Sequence, residues 1–245
     1  MLKYKQVLHK ECCFFAEIFS SKSKNSFELY TMHITWHGHT CFKITGKSNG
    51  DEVTLALDPF TNATGLRAPK FEADIITINN NESEELASAS PQQFLINHPG
   101  EYEVKKIYIE GVKAYRDKEK GKNLGYTTLY NINLEDINVV HLGYLGAELT
   151  THQIEKLENC DILMIPVGGN GVLSAQQAMQ IISQLEPSIV IPMYYNIPGL
   201  KIKCDAVDAF AKEVGINPAG GEQKLKITKK DLLADEMRTV ILEHV

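Results

Sequence analysis

Residues 161–193 read Asp161-Ile162-Leu163-Met164-Ile165-Pro166-Val167, then Gly168-Gly169-Asn170-Gly171, then Ser174 and Ala175–Leu185, then Ile189-Val190-Ile191-Pro192-Met193. Both apolar runs are continuous rather than alternating, the pattern of strands buried on both faces. Between them, Ser174 with Gln177 makes a capping box ahead of Ala175–Leu185, and Pro187 ends that helix. A strand–helix–strand unit of this kind predicts a sheet covered by helices, with 162–167 and 189–193 as central strands.

Working outward, short apolar runs predict strands at Ile34–Trp36, Cys41–Ile44, Val53–Leu57, Ile75–Ile78, Phe94–Ile96, Ile107–Ile109, Thr128–Ile132 and Ile137–Leu142. Asn49-Gly50 before Asp51 is a hairpin turn. Thr150 with Gln153 predicts a second capping box, opening a helix at Thr151–Glu158. Asp205 reads as the cap of Ala206–Val214, which Gly215 stops, and Lys224–Thr228 and Thr239–Leu242 read as closing strands. A strand-rich first half followed by strand–helix units predicts an α/β domain spanning 32–245. Residues 1–31 have another texture: a weakly amphipathic Val7–Phe19 leads into the polar run Ser20–Ser26. They read as a loosely attached extension or a start-site artefact, with a short docking helix as the functional alternative.

Composition narrows the function classes. The chain has 245 residues, 25 Lys and Arg against 31 Asp and Glu, and a formal charge of −6. That balance argues against a nucleic-acid binder, which needs a basic face. No apolar run reaches the ~18 residues of a membrane span. Five cysteines without a C-x-x-C pair fit reduced thiols in a cytoplasmic protein.

Several motifs invite chemistry, and each has a plainer reading. His33, His37 and His39 would share one face if they lay on a single strand, as metal ligands or as a polar strand face. Gly168-Gly169-Asn170-Gly171 precedes a helix without the G-x-G-x-x-G or G-K-[ST] pattern of a phosphate cradle, so a strand-to-helix turn is the simpler account. The acidic run Glu82-Ser83-Glu84-Glu85 is either a carboxylate pair for acid–base work or an acidic first helical turn. Cys41, Cys160 and Cys204 read as core thiols.

Seven ordered blocks then carry a resemblance. They are Trp36-His37-Gly38-His39-Thr40-Cys41-Phe42, Leu57-Asp58-Pro59-Phe60, Ala73-Asp74-Ile75, Pro99-Gly100-Glu101-Tyr102-Glu103-Val104, His141-Leu142-Gly143, Ile165-Pro166-Val167-Gly168-Gly169 and Ile191-Pro192-Met193. From Met32 onward the chain resembles the metallo-β-lactamase superfamily, in particular its bacterial branch of zinc-dependent hydrolases related to ascorbate-phosphate lactonases. The resemblance implies an αβ/βα four-layer sandwich, two facing β-sheets flanked by helices, with the site in a cleft at one end of the sheets. It also implies one or two zinc or manganese ions on an H-x-H-x-D-H loop, a later His, a bridging Asp and a final His.

This sequence departs from that ligand pattern. Asn79 and Asn81 stand for the first two His, Ser83 for the loop Asp and Glu84 for the third His. Arg116 stands for the later His, Tyr144 for the bridging Asp and Tyr194 for the final His. Neutral amides are poor zinc ligands and a guanidinium has no lone pair to give. The neighbouring Asp58, Asp117 and His141 match the family. The expectation is therefore a metal-free member without cofactor and without catalytic residues, a binding, scaffold or regulatory module for a protein partner or a small anionic ligand. Neither nucleic acid nor membrane is expected, and self-association stays open. The alternative is a metal-dependent hydrolase of a phosphoester, lactone or related ester bond, with a relocated site drawing on His37, His39, His98 or His141.

Overall fold

A computed structural model describes residues 30–79, 93–232 and 237–245. Two mixed β-sheets face one another. The first runs in the order β12-β1-β2-β3-β4-β5, with β1 (Met32–Trp36), β2 (Phe42–Ser48), β3 (Asp51–Leu57), β4 (Ile75–Thr77), β5 (Phe94–Ile96) and β12 (Leu225–Ile227). The second runs β13-β11-β10-β9-β8-β7-β6, from β6 (Gly100–Val104), β7 (Ile107–Tyr115) and β8 (Tyr126–Leu134) to β9 (Ile137–His141), β10 (Ile162–Pro166), β11 (Ile189–Met193) and β13 (Arg238–Thr239).

Local sequence explains the joints. In the β2–β3 hairpin Ser48 pairs with Asp51, and Asn49 (φ 55°) and Gly50 (φ 92°) take the left-handed conformations that a two-residue turn demands. Helices α1 (Thr151–Lys156) and α2 (Ala175–Leu185) both open on complete capping boxes, at Thr150/Gln153 and Ser174/Gln177. Helix α3 (Val207–Val214) ends at Gly215, but its cap position belongs to Ala206, one residue beyond the expected Asp205. The Asp205 backbone is already held as in a strand, its N–H donating to Gly168 O and its carbonyl accepting from Asn196 N–H.

Alternation fills the space between the sheets. Ile34, Trp36, Phe42, Ile44, Leu55 and Leu57 from the first sheet join Ile109, Ile132, Val139 and Ile165 from the second in one continuous core. Strands β10 and β11 are buried at every position and paired in parallel, as their unbroken apolar runs require. Helix α1 lies against β7 and α2 against β10 and α3. The Tyr130 hydroxyl of β8 crosses the interior to donate to Ile78 O (2.7 Å) and Ile96 O (3.0 Å), tying the second sheet to the ends of β4 and β5. Cys41 and Cys160 are buried free thiols and Cys204 is a half-buried one.

Two elements differ from the expected ones. Strand β6 was not marked by an apolar run, because it lies at the sheet edge and exposes Glu101 and Glu103. The closing strand expected at 239–242 shrinks to Arg238–Thr239, and Leu242 makes only an isolated bridge to Glu222. The run 82–85, Asn81, Ser83 and Glu84, together with residues 1–29 of the expected extension, lie outside the described residues.

Candidate functional site

At one end of the sandwich the loops after β1, β3, β4, β7, β9 and β11 meet. The turn after Trp36 sets the geometry. Gly38 (φ 93°) and His39 (φ 54°) reverse the chain, and the Trp36 indole N–H donates to His39 O (3.1 Å). The three histidines consequently do not share a face. His33 stays half-buried on β1 beside the charges of Lys224 and Lys226, and His37 turns outward onto the Phe71 ring at 4.7 Å. His39 alone enters the cleft.

There His39 is 3% exposed, with its ring 4.4 Å from that of Tyr194 and 5.4 Å from that of Tyr144. Its Nδ1 lies 3.2 Å from Thr40 Oγ1, and its Nε2 has no hydrogen-bond partner. Burial, with help from the Arg116 charge, pushes its pKa down to about 3, so the imidazole is neutral at physiological pH.

Asp58 is the buried anchor of the cleft. Its Oδ1 accepts from Asn79 N–H (3.2 Å) and its Oδ2 from the Thr40 hydroxyl. Burial raises its pKa to about 6, while the Thr40, Asn79 and Tyr144 hydrogen bonds and the Arg116 charge pull the other way. His141 spans the gap between sheets, its Nε2–H donating to Thr40 O and its Nδ1 accepting from Asn79 Nδ2, both at 2.9 Å. Burial lowers its pKa to about 4, so it too is a neutral bridging group. Asn79 reaches that position because residue 143 is glycine, where a Cβ would stand 1.8 Å from Asn79 Nδ2.

The aromatic wall completes the arrangement. Tyr144 and Tyr194 meet edge to face at 5.7 Å, and the Arg116 guanidinium lies 4.8 Å from the Tyr144 ring centroid. The structure therefore brings Asn79, Arg116, Tyr144 and Tyr194 together with Asp58 and His141. Asp117 stands apart from this group. It accepts from the N–H groups of Gly121, Asn123 and Leu124 and holds the β7–β8 turn. His98 is bonded to Asn97 (2.6 Å) at the rim of a neighbouring cavity. Sequence reasoning passed over Thr40, although it sits inside the Gly38–Phe42 block and touches His39, Asp58 and Tyr144. The polar residue within an otherwise buried block was the available signal.

Fold and cleft define an α/β two-sheet sandwich with a polar site built from loops at the strand ends. The family model described as a Beta-lactamase superfamily domain matches residues 33–194, and the chain belongs to that superfamily. Among curated relatives, a UPF0173 metal-dependent hydrolase of Thermoplasma acidophilum is 22% identical over 193 residues, 67% of this chain and 84% of that protein. Another, from Methanoculleus marisnigri, is 24% identical over 190 residues, 67% of this chain and 81% of that one. A crystal structure from Thermotoga maritima, assigned to the Zn-dependent hydrolases of the metallo-β-lactamase superfamily, aligns with TM-score 0.69 and 29% identity over 86% of this chain and 99% of that one.

These relatives correct the expectation of no cofactor. That expectation weighed the seven substituted ligand positions alone, whereas the relatives across the whole fold are named metal-dependent and Zn-dependent hydrolases. The donors set a condition of their own. Among the described residues no three His, Cys, Asp or Glu side chains form a metal-holding group. Both nitrogens of His141 are engaged and Asp58 is taken up by Thr40 and Asn79. Among the described residues, the buried cleft acceptors left without a partner are His39 Nε2 and Asn79 Oδ1, which by themselves fall short of a tetrahedral zinc set. Among the described residues no helix is long and apolar enough to cross a membrane.

Proposed function

We propose that the chain is a hydrolase of a phosphoester, lactone or related ester bond, metal-dependent like its named relatives and built on an atypical version of their site. The observation that carries this reading is the family match over residues 33–194, which includes every cleft residue described above. The chain's own groups suit such a substrate. Arg116 supplies a fixed positive charge for an anionic or polarised oxygen, and neutral His39 offers an unclaimed buried lone pair. The free thiols fit a cytoplasmic setting.

Metal content of protein purified without added metal, followed by assays on a phosphodiester, a lactone and a β-lactam with Zn²⁺ or Mn²⁺, tests the proposal. Turnover of the phosphodiester or lactone that a chelator abolishes is the expected result. No turnover of any substrate with either metal overturns it. One observation favours a second reading, a binding or regulatory module: Arg116, Tyr144 and Tyr194 pack against one another where the family places ligands. Saturable ligand binding without turnover would support that reading.

A further inference from the structure

Thr40 is fully buried, and its two oxygens touch both neutral histidines of the cleft. Its carbonyl accepts from His141 Nε2–H at 2.9 Å, which leaves His141 Nδ1 bare to accept from Asn79 Nδ2. Its hydroxyl carries a single proton, and the Asp58 carboxylate takes it. The Tyr144 hydroxyl bonds the same carboxylate, which in its ionised form accepts only. Both hydroxyl protons nearest His39 therefore point away from it. His39 Nδ1 faces the two oxygens they leave behind, Thr40 Oγ1 at 3.2 Å and the Tyr144 hydroxyl oxygen at 3.5 Å. A bare Nδ1 would meet lone pairs on both sides, so Nδ1 carries the ring proton and donates it to Thr40. One threonine thus sets opposite tautomers on two histidines, Nε2–H on His141 and Nδ1–H on His39.

The consequence lies on the far side of the His39 ring. Nε2 is left as a bare lone pair, buried and without a donor among the described residues. A buried acceptor with no donor is costly and rare in native proteins. The backbone fixes where it points. Gly38 and His39 are both left-handed, and His39 O accepts from the Trp36 indole N–H (3.1 Å) and from Tyr194 N–H (3.0 Å). Burial holds the ring neutral, with a pKa of about 3, so Nε2 accepts hydrogen bonds and does not store a proton.

We propose that Thr40 is a positioning residue: by fixing the Nδ1–H tautomer it makes His39 Nε2 the acceptor that holds a water in the cleft. Holding one O–H bond of a water orients its oxygen lone pairs, which is what attack on an ester centre requires. Reading that water as the attacking one rests on the hydrolase reading; the tautomer and the water do not. Two-bond proton–nitrogen NMR of the full chain with isotope-labelled histidines, at about pH 7.5 with chelator present, tests it. His39→Gln and His141→Gln assign the two rings. The expected spectrum shows His39 protonated at Nδ1, with Nε2 shifted as a hydrogen-bonded acceptor, and His141 protonated at Nε2. Thr40→Val keeps the carbonyl and loses the hydroxyl, so His39 should lose its single tautomer while His141 keeps its own; Thr40→Ser restores both. In Asp58→Asn the new amide donates to Thr40, whose own proton turns to His39 Nδ1, and the His39 ring proton should move to Nε2. A merely structural role for Thr40 and Asp58 would leave both tautomers alone. Where a phosphodiester or lactone is turned over, Thr40→Val should lower kcat ~10-fold with KM little changed, and Thr40→Ser should recover it. His39 protonated at Nε2 in the wild type, an unchanged tautomer in folded Asp58→Asn, an Nε2 resonance of a free lone pair, or wild-type kcat in Thr40→Val overturns the proposal. The expected tautomers and bound donor with no ester hydrolysed would defeat the hydrolase reading and leave this one standing.

Discussion

Asp58→Asn isolates the electrostatics of the cleft. Asp58 has φ 49°, a left-handed conformation that asparagine tolerates, and an asparagine Oδ1 can still accept the Asn79 N–H. The Thr40 hydroxyl can turn to accept from the new amide, so the substitution removes the charge and keeps the contacts. In the native protein the carboxyl titrates near 6 instead of 3.8. At about 1.36 kcal/mol per pH unit, that difference amounts to ~3 kcal/mol. The sign follows from proton linkage. A folded pKa above the unfolded one stabilises the fold fully below the unfolded value, and that contribution is lost as pH rises through about 6. The variant has no such loss. Its stability relative to wild type should therefore rise by ~2 kcal/mol between about pH 4.5 and 7.5, the part of the span that falls in that window. The depressed histidines act in both proteins and cancel in the difference. Urea unfolding at intervals across the window measures it. Two curves separated by a constant gap would mean that Asp58 ionises as an ordinary carboxylate, and the buried network would be misread. Asp58→Ala strands the Asn79 and Thr40 donors and should cost about 1–3 kcal/mol at the acid end.

Other outcomes follow from single contacts. Gly143→Ala places a Cβ 1.8 Å from Asn79 Nδ2 at a residue with φ 50°, and should lower stability by about 2–4 kcal/mol in a thermal melt. Tyr130→Phe removes the hydroxyl that Ile78 O and Ile96 O share, leaving Ile96 O only the Ile78 N–H, for a loss of about 1–3 kcal/mol read by urea unfolding. Ser174→Ala removes the cap of α2 and should cost about 1 kcal/mol by circular dichroism, while Ser174→Thr restores most of it.

Local chemistry was the legible part of the fold. Thr150 with Gln153, Ser174 with Gln177 and Asn49-Gly50 announce their caps and turn within a few residues, and each forms as read. The runs at 162–166 and 189–193 declare burial because an unbroken apolar strand leaves no face for water. What escaped depends on distant partners. Strand β6 is an edge whose exposed Glu101 and Glu103 erase the apolar signal. The shared face expected of His33, His37 and His39 assumed a strand that runs on, whereas Gly38 and His39 turn it. In the cleft, the family blocks located Asp58, Asn79, Arg116, Tyr144 and Tyr194, but one residue per position cannot say which side chain claims which lone pair. That His141 is occupied at both nitrogens emerges only once Thr40 and Asn79 flank it.

Strand β1 draws its two partners from opposite parts of the chain, β2 directly after it and β12 far downstream. Met32 pairs with Ile227, and Val245 N–H reaches back to Trp36 O at 3.1 Å. During synthesis, the first sheet stays open along that side until those downstream residues have left the ribosome, and contacts so distant in sequence form late. Meanwhile β1 presents unpaired N–H and C=O groups beside Met32, Ile34 and Trp36, a template for any neighbouring strand. The same segment that closes the sheet also reaches the other one, since Thr239 pairs with Val190 of β11. A chain that stalls before residue 225 therefore lacks both clasps at once, and such partial chains are the species of this protein most exposed to aggregation.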